Sequence, residues 1–116
     1  MTRAAGWSVA LLGLLAVSAE AASIKSIMRE MRGTIREASA LSQGAFDAAQ
    51  ARKLFETLAS EGEASAQVAG PSSRARFATF VADARKDSAS VQTAPQFRSA
   101  LASLVGQCRS CHDSTR

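Results

Sequence analysis

Three residues near the end of the chain carry its most specific chemistry. Cys108, Cys111 and His112 are spaced as C-x-x-C-H within the closing stretch Cys108-Arg-Ser-Cys-His-Asp-Ser-Thr-Arg116. Two thiols and an imidazole at this spacing can attach a haem: the thiols add across two vinyl groups to form thioethers, and the imidazole coordinates the iron from one face. At about 3.6 residues per turn, all three side chains leave one side of a helix. Paired thiols have other uses, as a redox dithiol, half a zinc site or a short-loop disulfide. A structural zinc site needs about four ligands, and the chain has no other Cys or His. A thioredoxin-like dithiol expects a strand–loop–helix setting, and no strand pattern precedes Cys108.

A helix bearing such a motif needs neighbours to close over whatever it holds. Apolar periodicity predicts four helices and no strand. The first runs from about Ser23 to Leu41, with Ile24, Ile27, Met28, Met31, Ile35 and Ala38 on one face. Ser42, Gln43 and Gly44 break it. The second runs from about Phe46 to Glu61, with Ala51, Leu54, Phe55 and Leu58 aligned and Phe46 placed to staple its entry. Residues 64–69 could continue it past Gly62, but Gly70-Pro71-Ser72-Ser73 reads as a turn and a new helix start. The third runs from about Ser73 to Ser90, with Phe77, Phe80, Val81, Ala84 and Val91 to one side. The fourth runs from Pro95 to about Asp113, where Phe97, Ala100, Leu101, Leu104 and Val105 share a stripe with Cys108, Cys111 and His112. The predicted fold is all-α, an antiparallel four-helix bundle with haem c near its C-terminal helix, inside the bundle.

Residues 1–22 read as a secretory signal peptide, with residues 23–116 forming one domain. Arg3 gives a short positive start, Trp7 to Val17 is an apolar run too short to span a membrane, and small residues around Ala19 and Ala21 offer cleavage sites. An uncleaved anchor is the alternative. Export places the domain in the periplasm, with no stable membrane insertion after cleavage, and haem attachment through this motif takes place on that side of the membrane. Loss of residues 1–22 removes Arg3 and Glu20 together, so the net charge stays at +4. No basic run interleaves with aromatics, which argues against nucleic-acid binding. So small a domain has a marginal core, to which a covalently held haem would add a large apolar body.

With the motif at the end of the last helix, the chain resembles the cytochrome c′ / cytochrome c-556 family, the class II c-type cytochromes. Most other mono-haem cytochromes c carry the motif near the N-terminus. Ile27-Met28-Arg29-Glu30-Met31-Arg32-Gly33 is similar to the family's first-helix motif, and Phe46-Asp47-Ala48-Ala49 to the start of its second helix. Gly106-Gln107-Cys108 through His112, with Arg116 four residues on, resembles its terminal signature. Phe77 and Phe80 stand where the family often has a Trp, Thr115 where an aromatic is usual, and the third helix and its junctions look shortened. The resemblance implies one covalent haem c, thioether links at Cys108 and Cys111, and His112 as proximal iron ligand. It allows a monomer or a homodimer.

The distal ligand separates two functions. His112 is the only histidine, and after export Met28 and Met31 are the only thioethers. Both fall on the apolar face of the first helix, so periodicity does not choose between them, and both could instead be flexible core filler. The resemblance picks Met28, the position of the axial Met in the c-556 type. Met/His ligation describes an electron carrier. An open face, as in the c′ type, describes a binder of nitric oxide or carbon monoxide. No second His, paired core carboxylates or nucleophile–base set points to an enzyme. Lys25, Arg29, Arg32 and Arg36 fall within about 60° on the first helix. That basic ridge is either a solvated face, a holder of a haem propionate or a dock for an acidic redox partner.

Overall fold

The computed structural model describes residues 23–114. The expected signal peptide, residues 1–22, and the terminal Thr115 and Arg116 lie outside the described residues. Within them are four α-helices and no strand: α1 (Ile24–Gln43), α2 (Ala48–Val68), α3 (Pro71–Ser90) and α4 (Ala94–Ser114). Connections of a few residues reverse the chain each time, consecutive helices pack together, and α4 closes back on α1. The result is the expected antiparallel four-helix bundle. None of these helices is long and apolar enough to cross a membrane.

Each helix start has a local cause. The Ser23 side chain accepts the Ser26 amide, and Asp47 accepts the Ala49 and Gln50 amides. At α3, Gly70 precedes Pro71, whose fixed φ suits a first helical turn. At α4, Thr93 Oγ1 accepts from the Gln96 amide while Gln96 Oε1 accepts from the Thr93 amide, a reciprocal capping box. These caps fix where each apolar stripe begins, and hence which face turns inward.

One end of the bundle is sealed by aromatic rings. Phe97 of α4 is fully buried between Phe55 of α2 and Phe46, with ring centroids 5.2 Å and 5.9 Å away. Phe46 therefore does more than staple its own helix; it locks α2 to α4. Leu58 and Leu104 fill the next layer.

The second helix does not end at Glu61. It runs on through Gly62 to Val68, because Gly62 is buried against α3. A Cβ there would lie 2.8 Å from Val81 Cγ2 and 3.1 Å from Phe80 Cδ1. The glycine is a point of close helix approach rather than a stop signal. Ser65, one turn on, is also buried and returns its hydroxyl to the Glu61 carbonyl at 2.8 Å.

A polar cluster crosses the α1–α2 interface. Buried Thr34 has its Oγ1 3.1 Å from Glu61 Oε2 and 3.2 Å from the Glu30 carbonyl, while Glu61 Oε1 is buried with no hydrogen-bond partner. A hydroxyl has one proton to give. Thr34 Oγ1 therefore donates to Glu61 Oε2 or to the Glu30 carbonyl, one at a time. Burial pushes the Glu61 carboxyl above its ordinary 4.5; the Thr34 bond opposes this, and Glu30 and Glu37 add to it. With a raised folded pKa, the group's contribution to stability is complete below 4.5 and is lost as pH rises through the folded value. Glu61→Gln should therefore stabilise the fold at pH 7 by roughly 1 kcal/mol or less, given partial solvent access. Thermal unfolding should show that gain vanish in acid below the ordinary Glu range.

Candidate functional site

The antiparallel course gathers the N-terminal halves of α1 and α3 around the C-terminal end of α4. A cavity of about 240 Å³ lies there. Met28 and Met31 form its α1 wall, Arg76, Phe77, Thr79 and Phe80 its α3 wall, and Gln107, Cys108, Ser110, Cys111 and His112 its α4 wall. The motif residues and both candidate thioethers, remote in sequence, therefore share one space.

The α4 stripe changes character along its length. Phe97, Leu101 and Leu104 are buried, Val105, Cys108 and Cys111 are half-buried, and His112 is exposed. The sequence reading places His112 on a continuous inner face; the structure places it at the mouth of an open bundle end. α1 begins only at Ile24 and α3 at Pro71, so among the described residues little helix remains to cover the last turn of α4. One turn before the mouth, Gln107 Nε2 donates to Asp83 Oδ2 at 2.7 Å and ties α4 to α3.

The two methionines are not equivalent. Met31 is 3 % exposed and belongs to the core, whereas Met28 is only partly buried and packs against that core from the cavity side. Met28 has the freer thioether.

The thiols stand in the last turns of a helix. There the macrodipole is negative and disfavours a thiolate. Burial, and then the neighbouring Cys111, push the Cys108 thiol above its ordinary range. Redox-active dithiols show the reverse, with a lowered pKa near a helix N-terminus. No group of three or more His, Cys, Asp or Glu is gathered as a metal-ion site among the described residues. Iron held by His112 would need a porphyrin for most of its ligands.

The lining suits such a group. It is mainly apolar, with two phenylalanines and two methionines, and Arg76 is its one permanently charged side chain. Arg76 Nη1 donates to Ser110 Oγ at 3.4 Å, so a cation stands at the rim of an apolar slot. A flat apolar ring with carboxylates at its edge matches that character. Arg76 was not legible in the sequence because it belongs to no motif; its one signal is the helical spacing that puts it a turn from Phe80.

Lys25, Arg29, Arg32 and Arg36 are all exposed, and none lines the cavity. Among the described residues the ion pair is Arg85 with Glu63, away from this ridge.

The burial difference gives a direct comparison. On packing alone, Met31→Ala should cost about 2–4 kcal/mol, and Met28→Ala about 1 kcal/mol or less. Denaturant unfolding measures both. No family profile, no characterised protein and no solved structure matches the chain significantly.

Proposed function

We propose that this chain is an exported mono-haem cytochrome of the class II kind, an electron carrier of the periplasm whose haem iron would be held by His112 and Met28. The observation that carries this reading is the single cavity shared by Cys108, Cys111 and His112 on one helix and Met28 on another. When bound, the haem supplies a one-electron Fe(III)/Fe(II) couple. Cys108 and Cys111 would fix it to α4, and His112 would ligate its iron. Met28 offers a soft thioether from α1, favouring the ferrous state and sparing the site a change of ligands during transfer. Phe77, Phe80 and Met31 give the slot apolar walls.

The ridge of Lys25, Arg29, Arg32 and Arg36 gives this carrier a face for an acidic redox partner. Like charges one turn apart weaken a helix by a few tenths of a kcal/mol per pair, so helix stability does not account for the ridge. Partner steering by charge acts mainly on encounter and fades with salt.

The visible spectrum of the purified protein, oxidised and reduced, with and without carbon monoxide, tests the haem and its ligands. A low-spin spectrum with a Met–iron charge-transfer band is expected, insensitive to the gas and lost in Met28→Ala. A high-spin spectrum that shifts with carbon monoxide would replace the carrier with a gas binder. Covalent haem retained in the Cys108→Ala/Cys111→Ala double variant would overturn the site.

Reversing Arg29 and Arg32 to Glu should slow electron exchange by about tenfold at low salt and much less at high salt. An unchanged rate and salt dependence would remove the docking face.

A further inference from the structure

Gly62 does something the other helix glycines do not. Cβ atoms built at Gly33 and Gly106 meet nothing within 4 Å, whereas one at Gly62 meets Val81 Cγ2 at 2.8 Å and Phe80 Cδ1 at 3.1 Å. Glycine inside a helix weakens it relative to alanine. At Gly62 that weakness accompanies a close approach of α2 to α3, directly behind the cavity wall. Phe80 belongs to both surfaces: it is 4 % exposed, it faces Gly62, and it lines the cavity.

A methyl group added at Gly62 would have to displace something. Val81 is β-branched, buried and stiff at χ1. The α2–α3 interface is the most extensive in the bundle and resists separation. The Phe80 ring has one open side, and that side is the cavity. We propose that Gly62 is a positioning residue for the candidate site: by withholding a side chain it lets Phe80 lean back against α2, and this recess sets the free depth of the cavity. The recess depends on no particular occupant; its effect on iron ligands rests on the cytochrome reading.

Two measurements test it. In thermal unfolding, Gly33→Ala should raise the midpoint through helix propensity. Gly62→Ala should lower it, and by less in a Phe80→Leu background, where part of the clash is absent. The second measurement uses a Met28→Ala background, which leaves the distal position to an added ligand, and follows carbon monoxide association. Gly62→Ala should slow association by about tenfold. Phe80→Leu alone should speed it, and the two together should return it close to the starting rate. The assignment fails if Gly62→Ala stabilises the protein as Gly33→Ala does, or if it leaves the association rate within about twofold. Should Gly62→Ala not fold, Phe80→Leu decides alone, and no acceleration overturns the proposal. A parent protein without covalent haem would sink the cytochrome reading, while the unfolding comparison would still judge Gly62.

Discussion

The clamp on Phe97 is the contact from which the site takes its position. α4 carries the C-x-x-C-H motif, yet its contacts with α1 and α3 are sparser than those between α2 and α3. What holds α4 is its N-terminal half: the ring between Phe46 and Phe55, the buried Leu101 and Leu104, and the Thr93–Gln96 capping box. A helix is stiff and rises about 1.5 Å per residue. The anchor therefore fixes the height and rotation of Cys108, Cys111 and His112 from a distance of several turns. A slip of one residue at Phe97 would turn the motif by about 100° and point it away from Met28.

This division of labour explains how one small domain can hold a cavity at all. Interiors are close-packed, and a void inside a marginal core is costly. Here the layers of Phe97, Leu58 and Leu104 are filled at one end, and the unfilled space lies where the helices run out. Charge follows the same plan. At the half-buried Glu61 and Cys108 burial disfavours the charged form, while the cations of α1 stand in water.

Much of this was legible in the sequence, for definite reasons. The four helices announced themselves through period and through the breaks at Gly44 and Gly70-Pro71, since both act locally. The motif was legible because three reactive residues within one turn form a strong pattern. Gly62 was misleading: a glycine that ends a helix and one that admits a neighbouring helix look alike until the neighbour is placed. Met28 and Met31 share a stripe, and only packing against the other helices leaves one half-exposed and buries the other. The Thr34–Glu61 contact joins residues on different helices, and nothing local to either names its partner. The exposure of His112 depends on where α1 and α3 begin relative to the last turn of α4, a matter of length and offset rather than of residue type.

The placement of the cavity also bears on the order in which the molecule can be made. Synthesis runs from α1 to α4, so the α1 and α3 walls exist as polypeptide before the cysteines do. The α2–α3 hairpin, closed over a two-residue connection, brings together neighbours close along the chain and carries little loop-closure cost. The reactive turn is thus the last part delivered to a scaffold already able to assemble. Its thiols stay half-exposed when the remaining helices have docked, so chemistry at this turn and burial of the core need not compete.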